Sequence, residues 1–178
     1  MTNPRRSRLT LLLVAAAFLT PFLVAVFLRF GGWQPPQTRN IGELLQPPLP
    51  MHEISATRGD DGTAWTFENT EHEWTLLAQL PARCEAECRA TLEVLPNVRI
   101  ALARHAGRLH PFVLGSAPGT ELPFPALRLA GELPAPLRLQ PETRVQVFLV
   151  DPHGFLVMRH AEGFDPNGLR KDLSRLIK

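Results

Sequence analysis

Cysteine is nearly absent from this chain of 178 residues: there are two, together with no tyrosine and only two lysines, Lys171 and Lys178, among 19 basic side chains. Two cysteines exclude a multi-disulfide scaffold and a four-thiolate zinc site. No Gly-rich phosphate loop, H-E-x-x-H pair or G-x-S-x-G elbow is present, so the usual marks of nucleotide binding, zinc proteolysis and serine hydrolysis are missing. A single-sign charge field is missing as well. Arg5, Arg6, Arg8, Arg29, Arg39 and one acid, Glu43, precede residue 51, which leaves 14 basic and 16 acidic residues in 51–178, a net charge of −2. That part has no basic surface with which to hold nucleic acid.

Charge is also missing from Leu9 to Leu28, twenty residues reading LTLLLVAAAFLTPFLVAVFL. A helix of that length covers about 30 Å, the thickness of the hydrocarbon core. Three arginines precede it and one follows. The positive-inside bias therefore places residues 1–8 in the cytoplasm and everything after Arg29 across the membrane. Ala15-Ala16-Ala17 is the one stretch like a signal-peptidase site, but the apolar run continues eleven residues beyond it, which argues for an uncleaved single-pass anchor. Residues 29–50 then read as a Pro-rich linker, a semi-rigid spacer, with Trp33 at headgroup level. On this reading, 51–178 is one exported domain on the periplasmic side of a bacterial inner membrane.

Within that domain, Trp74–Leu80 has the length and apolarity of a buried strand. The apolar spacing then changes to three and four residues, through Cys84, Cys88, Leu92, Leu95 and Leu102, and predicts a helix to about His105 with Gly107 as its stop. Leu109–Gly115 and Val145–Val150 read as strands, Leu127–Leu129 as a weaker one. Asp151-Pro152-His153-Gly154 is a turn with Phe155–Met158 returning, and Asp165-Pro166 opens a terminal helix. Strand, helix, strand, hairpin and helix make an α/β sandwich on one βαβ unit.

Both cysteines fall at the strand–helix junction, Cys84-Glu85-Ala86-Glu87-Cys88. The i, i+4 spacing places both sulfurs on one helix face, and the helix dipole favours thiolate there, most at Cys84. Three readings of the pair stay open. It can work as a redox dithiol or a ligand pair for a soft monovalent cation such as Cu(I), it can be a structural disulfide, or the thiols can be inert.

The anchor, the Pro-rich spacer, the strand beginning Trp74-Thr75-Leu76-Leu77, the C-x-x-x-C and the later Leu149-Val150-Asp151-Pro152-His153-Gly154 together resemble the Sco proteins. These are membrane-anchored, thioredoxin-fold copper-delivery and thiol-redox factors of cytochrome c oxidase assembly. The resemblance covers about 74–178. It implies a thioredoxin-like sandwich, a central mixed sheet flanked by helices, behind the single-pass transmembrane helix. It also implies Cu(I) held by Cys84, Cys88 and one histidine, and a partner that is a subunit of cytochrome c oxidase or another redox or copper protein at the membrane surface. That histidine is expected eight residues before Asp151, where this chain has Thr143, a poor ligand for Cu(I). Folding the hairpin about Pro152–His153 sets His160 opposite Val145 and returns it toward the same end of the sheet. His160 is therefore the candidate third ligand, against the simpler reading of a surface histidine beside Arg159. A general thiol-disulfide oxidoreductase, a thiol peroxidase and a non-catalytic interaction module with a structural disulfide are the competing functions.

Overall fold

A computed structural model describes residues 4–31 and 40–178, without the side chains of 4–9, Leu12 and Arg29. Residues 32–39 of the spacer, Trp33 among them, and the side chains of Arg5, Arg6, Arg8 and Arg29, which set the expected orientation, lie outside the described residues. Helix α1 runs Pro4–Phe30, contains Pro21, and exposes Leu11, Leu13, Phe18, Phe22 and Phe27. Among the described residues no helix is long and apolar enough to cross a membrane. The longest run of α1 with every side chain described is 13–28.

Residues 40–178 form a separate compact unit. Its main sheet has the order β1-β8-β7-β4-β5, from Glu43–Pro50 (β1), Phe155–His160 (β8), Gln146–Val150 (β7), Trp74–Gln79 (β4) and Leu109–Leu114 (β5). Strand β4 is parallel to β5 and antiparallel to β7, and the remaining pairs are antiparallel, so the sheet is mixed. The parallel step is bridged by α2 (Ala86–Ile100), the βαβ unit expected from the sequence. Every residue of β4 after Trp74 is buried, and its alternation divides the core. Leu76, Ala78 and Leu80 meet Cys88, Leu92 and Leu95 of α2 and Leu169 and Leu173 of α4 (Pro166–Leu176). Leu77 joins Phe112, Phe148, Phe67 and Leu127 on the other side, over a small second sheet. That sheet has the order β3-β2-β6, from Ala64–Trp65 (β3), Ser55–Arg58 (β2) and Leu127–Ala130 (β6). The short helix α3 (Ala135–Arg138) buries Leu137 in this second core.

Three expectations are corrected. Residues 43–50, read as spacer, form strand β1 on the sheet edge, with Glu43 opposite Arg159 and Pro50 opposite Phe155. Prolines 47, 48 and 50 disguise this strand, because an edge strand tolerates the missing N–H that a central strand would not. Helix α2 stops at Ile100, not near His105: Ala103 has φ +50, outside the right-handed helical region, and a 3₁₀ turn occupies Ala103–Arg108. The hairpin register differs by two residues from simple folding, so His160 faces Val147 and not Val145. Val150 lies opposite Leu156 and Leu149 opposite Met158, which leaves Val157 as the extra residue of a bulge.

The terminal helix begins as its sequence predicts, with the Asp165 carboxylate accepting from the N–H groups of Asn167 and Gly168. Seven residues further on, Asp172 is fully buried. Its Oδ2 accepts from the N–H groups of Ile41 and Gly42, each at 2.8 Å, and its Oδ1 from Arg175 at 3.3 Å. A carboxylate buried in this way costs desolvation, which the charge-assisted bonds from both amides offset. Gly42 has no room for a side chain, since a Cβ there would lie 2.6 Å from His160 Nε2. Removing the Asp172 carboxylate strands two amides, so Asp172→Ala is expected to destabilise the domain by about 3 kcal/mol. Urea unfolding of the detergent-solubilised chain, followed by tryptophan fluorescence, measures this; a loss under about 1 kcal/mol would show that the contact is incidental.

Candidate functional site

Cys84 and Cys88 are joined by a disulfide, with their Cα atoms 5.1 Å apart. The local path explains how a four-residue spacing permits it. β4 ends at Gln79, the Leu80 N–H donates to the Leu114 carbonyl, and Pro81 leads into a loop. Glu85 is the extended N-cap of α2, with ψ −164°, so the helix proper starts at Ala86. Cys84 therefore lies before the helix and not on its face, and only Cys88 occupies a helical position. Cys88 is fully buried in the α2 core, whereas Cys84 is partly exposed. The exposed sulfur is the one that an incoming group can reach.

Between the cysteines, Glu87 forms a two-pronged ion pair with Arg144: Nε donates to Oε2 at 2.6 Å and Nη2 to Oε1 at 3.0 Å. Each partner shifts the other: the guanidinium lowers the Glu87 pKa, and the carboxylate raises that of Arg144. Both groups are exposed, so the pair contributes position more than stability. The segment before β7 is held a second time, from β8's end. The Glu162 carboxylate accepts from the backbone N–H groups of Glu142, Thr143 and Arg144 at 2.8, 3.1 and 3.1 Å, and these bonds hold its pKa below the usual carboxylate value. Thr143 thus lies beside an arginine that reaches into the cysteine segment. Thr143, at the position that the resemblance assigns to a histidine, offers no metal ligand of use to Cu(I).

His160 returns toward the cysteine end of the sheet, as the hairpin predicts, but not at the surface. It is 2% exposed, not a surface residue, and its partner in the register, Val147, is itself opposite Ala78 of β4. That row is one short of the end of β4, so His160 is at the cysteine end of the sheet, but two strand spacings, about 10 Å, to the side. Its Nε2 lies 3.5 Å from Asp172 Oδ2, and its ring packs edge-on against Phe164 at 5.9 Å. Burial lowers its pKa, with the Asp172 charge opposing. Among the described residues, no group of three or more His, Cys, Asp or Glu side chains is arranged to hold a metal ion.

Elsewhere, His110 has its Nε2 2.9 Å from Glu73 Oε2 and its ring against Trp65. The Glu87–Arg144–Glu162 set escaped sequence reasoning, because its members are 57 and 18 residues apart with no motif between them. The one available signal was Arg144 following the position that the resemblance assigns to a ligand.

The family model described as "Transmembrane-like, thioredoxin-like, C-terminal domain" matches residues 74–178. No curated protein matches the sequence. Among solved structures, copper-bound ScoI of Arabidopsis thaliana is 19% identical and aligns over 77% of this chain and 98% of its own, at a TM-score of 0.48. Trgpx in its apo form is 12% identical over 72% of this chain and 95% of its own, at 0.51. BsSco, described as a Sco-family cytochrome c oxidase assembly protein with a disulfide switch, is 11% identical over 76% and 98%, at 0.48. At these identities the structural likeness speaks to fold alone, and the family match describes that fold as thioredoxin-like.

Two outcomes follow from the burial pattern. After reduction, Cys84 is expected to be alkylated at least about tenfold faster than Cys88, because it is exposed and precedes the positive helix end; quantitative mass spectrometry of the two peptides checks this, and equal rates would refute it. For His160, the folded pKa lies below the unfolded value near 6.5, so the unfolded chain binds the extra proton first. Its contribution to stability is complete above about pH 6.5 and falls as the pH drops below it, and His160→Gln should flatten that slope in urea titrations at graded pH.

Proposed function

The chain belongs to the transmembrane-like, thioredoxin-like C-terminal domain family, and from that premise we propose that it is a membrane-anchored, exported thiol-disulfide redox protein that acts through Cys84 and Cys88 in cytochrome c oxidase assembly. The observation that carries the reading is the closed disulfide at the β4–α2 junction, with Cys84 partly exposed and Cys88 buried. The chemistry needs no further group. In the reduced protein the Cys84 thiolate attacks one sulfur of a partner disulfide and releases the other as a thiolate. The Cys88 thiolate then attacks Cys84 Sγ and displaces the first partner sulfur. The Cys84–Cys88 disulfide is re-formed, the partner takes up two electrons and two protons, and this chain is oxidised.

The link to the oxidase rests on the sequence resemblance, as do the partner (an oxidase subunit or another redox or copper protein at the membrane surface) and the periplasmic side of a bacterial inner membrane. The membrane anchor rests on Leu9–Leu28. Copper is a second reading of the same two sulfurs. The oxidised pair presents no thiolate, Thr143 offers none, and His160 Nε2 faces Asp172, so the residues as arranged do not fit a Cu(I) centre. Copper handling would belong to the reduced state, with Cys84 and Cys88 as its sulfur ligands.

Three measurements on the full chain test the proposal, the first two in lipid nanodiscs and the third in cells. In a glutathione redox series, Cys84–Cys88 should interconvert reversibly as a two-electron couple in the folded state; reduction only on unfolding would leave a structural brace. Cu(I) competition against a chromophoric chelator should show whether the reduced protein binds one equivalent, lost in Cys84→Ser and, if the imidazole ligates, weakened in His160→Ala more than in His153→Ala. A reporter fused after Lys178 should be active outside the cytoplasm, and activity only inside would overturn export and the oxidase link together.

A further inference from the structure

A cavity of about 870 Å³ opens at the carboxyl ends of β4 and β5. It is made by backbone divergence. The Val113 N–H donates to the Pro125 carbonyl at 2.9 Å, and Val113 bridges Ala126. From there β6 leaves to pair with β2, Leu127 opposite Arg58, while β5 ends and Gly115, at φ +106, turns the chain away. The third wall is α3, and two buried glutamines fix it. Gln79 Nε2 donates to the Leu137 carbonyl at 3.0 Å, and Gln146 Nε2 donates to Gln79 Oε1 at 2.7 Å and to the Leu139 carbonyl at 3.1 Å. Buried amides satisfied in this way hold the wall in place without an occupant.

The lining is mostly apolar, with Leu114, Ala117, Leu129, Leu133 and Leu137, and includes the polar Gln79, Ser116 and Gln140. Only two charged residues line it, Arg128 and Arg138, and no acid does. Both arginines are exposed, and among the described residues neither has an ion pair or a side-chain hydrogen bond. An apolar chamber with two unspent guanidinium groups and no carboxylate complements a molecule with an apolar body and one negative end. Its size is within the roughly 300–1,000 Å³ of small-molecule sites, and the carboxyl end of a parallel pair is where α/β sheets place ligands.

We propose that this cavity binds an amphipathic monocarboxylate, with its aliphatic or aromatic body among Leu114, Leu129, Leu133 and Leu137 and its carboxylate paired with Arg128 and Arg138. The binding does not depend on dithiol chemistry. The test uses the full chain in nanodiscs of zwitterionic lipid with a diazirine-bearing dodecanoate, irradiated and mapped by peptide mass spectrometry. Saturable labelling is expected within residues 114–140, displaced by excess dodecanoate and at least about tenfold less well by dodecanol. Arg128→Gln with Arg138→Gln should reduce the labelling by a similar factor while leaving the circular dichroism spectrum unchanged, since both side chains are exposed. Labelling confined to Leu9–Leu28, equal displacement by dodecanol, or wild-type labelling of the double variant would each overturn the proposal.

Discussion

The domain is organised by the burial of β4 from Thr75 onward. A strand buried on both faces must send alternate side chains into two separate cores, and Leu76 and Leu77 do so, one against α2 and α4 and the other against the second sheet. Its two neighbours run in opposite senses, β5 parallel and β7 antiparallel, so the chain must cross over once and reverse once. The crossover is α2, which has to start where β4 stops. The junction carrying both cysteines is therefore a product of the topology, at the end of a central strand of the sheet.

The surroundings of that junction are built from long-range polar contacts. Arg144 reaches Glu87 between the cysteines, and Glu162, just past β8, gathers three successive backbone N–H groups before β7. The loop preceding β7 is thus held against the disulfide segment from one side and against the end of the hairpin from the other. No single bond in the set is strong, since all are near solvent. Together they hold the loop that carries Thr143 against the segment between the cysteines.

Elements whose pattern is local were legible in the sequence. The apolar run of β4, the three-and-four spacing of α2, the Asp-Pro cap of α4 and the turn at Asp151–Gly154 each carry their own signal, and each is present. β1 was not legible, because Glu43–Pro50 has no alternation and becomes a strand only by pairing with β8. The polar β2, Ser55–Arg58, depends in the same way on β3 and β6. At the site, the cysteine pair stood out by rarity and position. The burial of His160 did not, because its cause is Asp172, which α4 brings into contact from twelve residues further along. A bulge at Val157 moved the register by an amount that no composition signals.

Proline in β1 has a consequence for how such domains crowd together. The strand lies on one rim of the main sheet and contains three prolines, while β5 on the opposite rim contains Pro111. Each proline removes a donor from a row that another chain would otherwise extend. Both rims are therefore poor templates for strand addition. Copies held at high local concentration on a surface can collide edge to edge without zippering into a continuous sheet.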